Sequence, residues 1–341
     1  MWSSGTTGGP KGSPITRDLQ AGRIAVRRTA RGLGHRTRYL TGVPFSAAPG
    51  YIMTLATLAA GGAVILRGPD TDFVGLANTF GATVTSGPPG LLASLVNAGE
   101  RPPRLETLEV FMVSGTHLPS QLARAARLIL TPNLWIGYGA TETDSVANAE
   151  AALALDDPSA TGFLFPWVDA QIVDGSDRPL AAGQEGVLRL RCAQMIAGYY
   201  ANAAATQRNF RDGWFYPGDL AIVTPDRLLR ITGRIEDVIV RDGVAIAPRP
   251  LEEAIRPLAG VRDVAVFPML NADGSQDICA ALVLEDGADA ATIQSGIVAR
   301  LGAQAPTRIF RVEALPLNPN GKVVRRELVD WAMRRTPGQP P

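Results

Sequence analysis

Near its amino terminus the chain carries a glycine-rich segment that reads Ser3-Ser4-Gly5-Thr6-Thr7-Gly8-Gly9-Pro10-Lys11-Gly12. Hydroxyl and ammonium groups set among exposed backbone amides suit phosphate or carboxylate ligands. The lysine is followed by glycine, so the segment is not the common phosphate-loop signature, in which Ser or Thr follows Gly-Lys. On composition alone, a flexible linker is the alternative to a phosphate-binding loop.

The use of lysine supports the ligand-binding interpretation. Of the 33 basic residues only two are lysine, Lys11 and Lys322, and the second also lies in a glycine-containing loop, Asn318-Pro319-Asn320-Gly321-Lys322. A lysine offers a compact point charge where arginine offers a planar fork, so retained lysines indicate positions at which arginine cannot serve. The alternative is mutational bias that left two lysines by chance.

Composition excludes several classes of protein. The 341 residues allow two domains, and 46% hydrophobic with 19% charged residues is typical of a globular protein. The net charge of +1 creates no field that would favour nucleic acid. The basic cluster 17–38 lacks interleaved aromatic residues, and we expect it to be the solvated face of an early helix. The apolar stretch 51–66 is interrupted and too short for a membrane span, so a cytoplasmic protein is expected.

Alternation of helix and strand patterns predicts an α/β fold with a mostly parallel sheet. Thr16 is expected to cap a helix that ends near Ala30, and a strand is predicted over 82–85. After residue 160 the alternating pattern predicts a small β-rich subdomain, and from about residue 234 a compact α+β unit with a helix over 290–301.

Specific motifs recur in order along the chain. The string Ser4-Gly5-Thr6-Thr7-Gly8-x-Pro10-Lys11-Gly12 resembles the signature of the AMP-forming adenylating enzymes, the superfamily of acyl-CoA synthetases, adenylation domains and luciferases. Further segments resemble the family's adenine and magnesium segment, ribose segment, interdomain hinge and lid loop: Gly137-Tyr138-Gly139-Ala140-Thr141-Glu142-Thr143, Gly213-Trp214-Phe215-Tyr216-Pro217-Gly218-Asp219-Leu220, Thr232-Gly233-Arg234-Ile235-Glu236-Asp237 and the Lys322 loop. Five ordered motifs are far more specific than one.

The resemblance implies a partial large AMP-binding domain at 1–233, a small α+β C-terminal lid domain at 234–335 and a disordered tail at 336–341. It also implies an ATP and AMP site made by Ser4, Gly5, Thr6, Thr7, Gly8, Lys11, Gly115, Thr116, His117, Tyr138, Gly139, Thr141, Asp219 and Arg234. Glycines beside Tyr138 are expected to let a ligand approach the backbone. His117 stands where the family often has proline, so it is not expected to act as a catalytic base.

The chemistry that the resemblance implies is ATP-dependent activation of a carboxylic acid. Glu142, with Thr6, would hold Mg²⁺, a hard cation that prefers oxygen ligands. Lys322 would be the catalytic residue of adenylation, and Glu236 would take the hinge position. The acyl group would then pass to coenzyme A. A carrier-protein thiol is the alternative acceptor.

The chain departs from the family pattern at its amino terminus. Relatives carry a long region before the phosphate loop, so the resemblance implies a large domain that lacks its amino-terminal part. We therefore expect an unpaired sheet edge and an exposed apolar patch. A separate chain that supplies the missing region, or an inactive fragment that acts as a binding module, are the alternatives to an active enzyme. The identity of the acid stays open at this point, and the apolar segments around Phe45, Tyr51 and 163–167 allow a small carboxylic acid that is fatty or aromatic.

Overall fold

The computed structural model describes residues 1–3, 10–68, 71–98, 104–241, 243–271, 275–318 and 321–335. The predicted loop residues Ser4–Gly9 and the predicted tail 336–341 lie outside the described residues. The chain divides into two compact units. The first unit contains Met1–Pro217 and Ala221–Ile231, and the second contains Gly218–Leu220 and Thr232–Pro341.

The stretch up to Arg234 alternates helices with strands. Its helices are α1 (Arg17–Arg31), α2 (Ala48–Ala59), α3 (Phe73–Thr79), α4 (Pro89–Val96), α5 (Ser120–Ile129), α6 (Leu153–Asp156) and α7 (Ala203–Asn209). Its strands are β1 (Trp2–Ser3), β2 (Lys11–Gly12), β3 (Arg38–Leu40), β4 (Ala63–Ile65), β5 (Val84–Gly87), β6 (Val110–Ser114), β7 (Leu134–Ala140), β8 (Asp144–Glu150), β9 (Ala160–Leu164), β10 (Val168–Val173), β11 (Glu185–Cys192), β12 (Phe210–Arg211), β13 (Trp214–Phe215), β14 (Asp219–Val223) and β15 (Leu228–Arg234).

Strands β3 to β15 form one sheet in the order β12-β13-β11-β14-β15-β9-β8-β7-β6-β5-β3-β4, with β10 beside β11. Strands β3 to β7 pair in parallel, which confirms the predicted α/β class. The β-rich segments predicted after residue 160 are present, and their strands continue the same sheet with antiparallel pairing. Because the carboxyl ends of parallel strands share one edge, Ser114 at the end of β6 lies beside Gly137 of β7.

Strand β4 is the last strand in this order and pairs with β3. Leu66, which follows β4, is 73% exposed, and Leu58 on the adjoining helix α2 is 54% exposed. These side chains place apolar surface at this end of the sheet.

The capping residues of helix α1 set its two ends. The hydroxyl of Thr16 accepts a hydrogen bond from the Leu19 amide, and Gly32 ends the helix in the left-handed conformation at φ 59°. The predicted helix is therefore confirmed. The prediction that its arginines form a solvated face is wrong, because Arg23 and Arg27 are buried. Both side chains have specific partners inside the unit, so burial does not leave their charges without hydrogen bonds.

The second unit is an α+β arrangement. Beyond Arg234 its strands are β16 (Ile239–Arg241), β17 (Val244–Ile246), β18 (Val261–Leu270), β19 (Gln276–Leu284) and β20 (Arg308–Arg311), and its helices are α8 (Pro248–Ile255), α9 (Ala290–Leu301) and α10 (Arg325–Met333). The sheet β18-β19-β20 has one apolar cluster with α8 and α9 and another with α10. None of the helices in the described ranges combines the length and apolar character that a membrane crossing requires.

Candidate active site

A tyrosine joins the two charged residues that the sequence analysis assigned to phosphate and magnesium. The ammonium nitrogen of Lys11 lies 5.2 Å from the centroid of the Tyr199 ring, within the range of a cation–π contact. The Tyr199 hydroxyl donates a hydrogen bond of 2.8 Å to Oε1 of Glu142. Lys11 therefore contacts the ring of this buried tyrosine, and Glu142 contacts its hydroxyl.

The surroundings of Tyr199 keep its hydroxyl protonated. Burial raises the pKa of Tyr199, and the charge of Glu142 and the hydrogen bond to it raise the pKa further. Tyr199 is thus a fixed donor, and Glu142, with 6% of its surface exposed, has its carboxylate oriented by that donor. Sequence reasoning missed Tyr199, since its partner lies 57 residues away in the chain.

The backbone around Glu142 is also held in place. Its carbonyl accepts hydrogen bonds from the Ile196 amide at 2.9 Å and from the Arg23 guanidinium at 3.0 Å. The residue lies in the turn between β7 and β8, where the Thr143 amide donates to the Ala140 carbonyl. The turn that presents Glu142 is therefore anchored by helix α1 and by the segment before Tyr199.

Neighbouring protein atoms leave no room for a side chain at the two glycines of the same motif, Gly137 and Gly139. A Cβ on Gly139 would lie 2.2 Å from the carbonyl oxygen of Asp144 on the facing strand, and one on Gly137 would lie 2.8 Å from Sδ of Met112. From the sequence, these glycines were expected to let a ligand approach the backbone beside Tyr138. The structure assigns them a different physical role, the close approach of β8 and of a core methionine.

The predicted adenine residues lie along the carboxyl ends of β6 and β7. Thr116 and His117 line a small cavity together with Gly137 and Thr161. Tyr138 is partly buried and packs against the apolar cluster of the antiparallel strands. Gly115 is exposed, with φ 96°, and Thr141 is half-buried in the β7–β8 turn.

In the second unit, the predicted ribose and hinge residues form an ionic cluster. Asp219, with 5% of its surface exposed, accepts a hydrogen bond of 3.0 Å from Nη1 of Arg234. The other end of the same guanidinium lies 3.4 Å from Oε1 of Glu236. The Ile235 amide donates to the Gly218 carbonyl at 3.0 Å, so the two segments that carry these residues are joined by the backbone as well.

Lys322 belongs to this cluster. Burial lowers the pKa of its ammonium, the Arg234 cation lowers it further, and the carboxylate of Asp219 opposes that effect. The Lys322 amide donates to Oδ1 of Asn318 at 3.0 Å. Pro319 and Asn320, which follow Asn318 in the sequence, lie outside the described residues.

The predicted site residues thus form two groups, each inside one unit. Lys11 and Glu142 meet in the first unit, where the adenine residues also lie, and Asp219, Arg234 and Lys322 meet in the second. Ser4, Gly5, Thr6, Thr7 and Gly8 lie outside the described residues.

Comparison with known protein families identifies one match. Residues 1–200 match the family described as AMP-binding enzyme. The chain belongs to the AMP-binding enzyme family. The resemblance that the five motifs predicted is therefore confirmed.

Similar proteins in this family include two curated relatives. A putative acyl-CoA synthetase, YngI, of Bacillus subtilis is 28% identical over 342 residues, which cover 96% of this chain and 62% of the relative. A salicylyl-CoA synthase / salicylate adenylyltransferase of a Streptomyces species is 31% identical over 352 residues, which cover 97% of this chain and 62% of the relative. The chain spans about three fifths of the length of these relatives.

Two solved structures share the fold of this chain. ATP-bound MatB from Rhodopseudomonas palustris superposes with a TM-score of 0.88 at 25% identity, covering 97% of this chain and 67% of that one. The amide bond synthetase McbA from Marinactinospora thermotolerans gives a TM-score of 0.87 at 25% identity, covering 97% of this chain and 68% of that one.

Proposed function

We propose that this chain activates a small carboxylic acid with ATP. The carboxylate attacks the α-phosphorus, pyrophosphate leaves, and an acyl-adenylate forms. The thiol of coenzyme A then attacks the acyl carbon, giving a thioester and AMP. The contact chain Lys11–Tyr199–Glu142 supports this proposal most directly, because it brings a cation and an oriented carboxylate to the same buried tyrosine in an AMP-binding enzyme.

Adenylation joins two negatively charged reactants, so charge neutralisation and positioning are the main tasks of the protein. Lys11 would bind the β- and γ-phosphates, together with the hydroxyls of Thr6 and Thr7. Glu142 fits a Mg²⁺ ligand, since its oriented carboxylate is the hard oxygen donor that Mg²⁺ prefers. The described residues contain no group of three His, Cys, Asp or Glu side chains that could form a metal cage. One protein carboxylate plus substrate phosphates is a usual environment for Mg²⁺, which would neutralise phosphate charge there.

We assign the nucleoside to the residues that the adenine and ribose motifs identify. Gly115, Thr116, His117, Tyr138 and Gly139 would surround the adenine, and Thr141 would contact the α-phosphate. Asp219 would accept hydrogen bonds from the ribose hydroxyls, a task that suits a carboxylate already held by Arg234.

Lys322 is the proposed catalytic residue of adenylation. Its ammonium would bridge the attacking carboxylate and the α-phosphate. We propose that domain 234–335 acts as a lid that turns about Glu236 between the two half-reactions, as lids commonly couple chemistry to domain motion. Coenzyme A is the proposed acceptor because two curated relatives carry names that refer to CoA thioester synthesis. The reaction would take place in the cytoplasm.

The experiment begins with nucleotide binding. ATP with Mg²⁺ is titrated calorimetrically into the purified chain, into Lys11→Ala and into the matched control Arg28→Ala, which removes an exposed cation. Removing a charged hydrogen bond costs about 1.5–3 kcal/mol, or roughly a 10- to 150-fold loss of affinity. We expect that loss in Lys11→Ala only. Equal affinity in all three proteins contradicts the phosphate assignment.

Catalysis is tested separately with Lys322→Ala. We expect its ATP affinity to stay within about threefold of wild type, while pyrophosphate release with a panel of small acids falls by two or more orders of magnitude, as for the loss of an electrostatic catalyst. Unchanged pyrophosphate release in this variant rules out Lys322 as the catalytic residue. A folded wild-type chain that does not bind ATP contradicts the proposal for this chain as a whole.

A further inference from the structure

Helix α1 directs three arginines into the first unit at intervals of one helical turn. Arg23, Arg27 and Arg31 occupy positions i, i+4 and i+8, which share one helix face. Arg23 donates to the Gln194 carbonyl at 2.8 and 3.0 Å and to the Glu142 carbonyl. The charge of the first arginine is therefore solvated by backbone carbonyls.

Arg27 is held by a carboxylate. Its Nη2 lies 2.5 Å from Oδ1 of Asp144, and its Nε lies 3.1 Å from the same oxygen. Both side chains are at most 10% exposed. Asp144 therefore balances the charge of Arg27.

Arg31 differs from the other two. Within the described part of the chain its half-buried guanidinium has no hydrogen-bond or ion-pair partner. Burial lowers the pKa of Arg31 to about 9, and the cation of Arg27 contributes to the lowering. Two inward cations, Arg27 and Arg31, thus share one carboxylate, Asp144. A partly buried charge that shares its counter-charge with a second cation is costly unless another anion binds.

Arg31 lies against a small cavity. Arg27 also lines this cavity, together with Met53, Ser86, Met112 and Ser114 among others. Its space for the centres of water molecules is about 10 Å³, close to what one water needs. The Ser86 hydroxyl, which lies in this lining, is 2.9 Å from the buried Tyr39 hydroxyl, so one wall of the cavity carries a polar group.

The cavity adjoins the predicted nucleotide site. Ser114 directly precedes Gly115, and Nη2 of Arg31 lies 3.9 Å from the point that a Cβ of Gly137 would occupy. Gly137 in turn precedes Tyr138. If the carboxylate of the acid reacts with ATP beside these residues, the rest of the acid lies next to the Arg31 cavity.

We propose that the acid activated by this chain carries a second anionic group, such as a carboxylate or sulfonate, and that Arg31 binds this group with the Ser86 hydroxyl beside it. The inference rests on the proposed function and names its substrate class. It replaces the expectation of a fatty or aromatic acid, because an unpaired arginine facing a one-water cavity stabilises a compact anion and penalises an apolar tail. The thioether side chain of Met53, which has several rotatable bonds, would change rotamer to enlarge this one-water space for the group.

The test compares two four-carbon acids that differ by one carboxylate, succinate and butyrate. Dissociation constants are measured by calorimetry at pH 7.5, in the presence of AMP, for wild type, Arg31→Gln and the exposed matched control Arg28→Gln. We expect wild type and Arg28→Gln to bind succinate at least tenfold more tightly than butyrate. In Arg31→Gln that preference should disappear, with butyrate affinity unchanged. The unliganded melting temperature of Arg31→Gln should equal or exceed that of wild type, since the substitution removes a buried unpaired charge.

Three results would overturn the inference. One is the same succinate preference in Arg31→Gln, and another is no preference in wild type. The third is an equal loss of affinity for both acids in Arg31→Gln, which would mean that Arg31 binds the carboxylate common to both. AMP titrated alone into the same samples separates this inference from the proposed function. AMP binding without an Arg31-dependent preference overturns the inference alone. A folded wild type that fails to bind AMP overturns the proposed function and with it the substrate assignment.

Discussion

Replacing Asp144 by asparagine should destabilise the first unit strongly. Asp144 has a positive φ of 62°, a conformation that asparagine tolerates well, so Asp144→Asn removes the charge and keeps the backbone. The substitution leaves Arg27 and Arg31 as two inward cations without a carboxylate.

The magnitude follows from the burial of the pair. The Arg27 and Asp144 side chains are 10% and 6% exposed, and breaking a buried ion pair by removing one partner costs about 3–5 kcal/mol. Asp169→Asn is the matched control. Its pair with Arg191 has side chains that are 63% and 53% exposed, and such surface pairs contribute roughly 0.2–1 kcal/mol.

The assay is equilibrium unfolding in urea, followed by tryptophan fluorescence, since Trp135 and Trp214 both lie in the first unit. We expect the unfolding midpoint of Asp144→Asn to fall far below that of Asp169→Asn. Adding Arg27→Met to Asp144→Asn should restore part of the loss, because it removes the stranded cation. A loss below about 1 kcal/mol, or no restoration in the double variant, would refute the reasoning that this pair is a buried charge balance.

Further predictions concern the site and its supports. Tyr199→Phe removes the donor to Glu142 and should weaken ATP binding about tenfold with Mg²⁺ present, as expected for about 1.5 kcal/mol, and hardly at all without Mg²⁺; an equal loss in both titrations would contradict the metal role. Gly139→Ala should lower the melting temperature or prevent folding, because its Cβ would overlap the facing carbonyl, whereas Gly90→Ala, which has open space in a helix, should be neutral or stabilising. Because the pKa of Arg31 is lowered to about 9, its burial penalty is present below that pH and is lost as pH rises above it. The difference in free energy of unfolding between Arg31→Gln and wild type should therefore shrink above pH 9 in urea titrations. A difference that grows there would contradict a lowered pKa of Arg31 in the folded state.

Local sequence signals predicted helices α1 and α9, which both begin with a capping side chain. The helix expected over 290–301 is α9, where the Asp289 side chain accepts a hydrogen bond from the Ala291 amide. The strand expected over 82–85 begins instead at Val84, because the Ala82 amide closes the end of helix α3 by bonding to the Ala77 carbonyl. Helix α3 itself was not predicted, and its seven residues offer a weak periodic signal.

Side-chain burial was less predictable, since it depends on partners far away in the chain. The arginines of α1 give a polar helix face by composition, yet Arg27 is buried by a carboxylate 117 residues further on. The spacing of 23, 27 and 31 was the available signal, because three like charges on one helix stripe need counter-charges. The motifs pointed to Lys11 and Glu142 as parts of one site, and the structure brings the two side chains together through Tyr199. Tyr199 itself lies in a segment without a chemical signature.

The distribution of lysine between the units has a practical consequence. Lys11 lies in the first unit and Lys322 in the second, and no other lysine exists in the sequence. The amine of Met1, which donates to the Ser13 carbonyl, also reacts with amine-reactive crosslinkers, and its crosslinked peptides are told apart by mass spectrometry. Amine-reactive crosslinkers of graded length then have a single intramolecular lysine pair to join. The shortest reagent that closes the pair, with and without nucleotide, would give a direct molecular ruler for the separation of the two units.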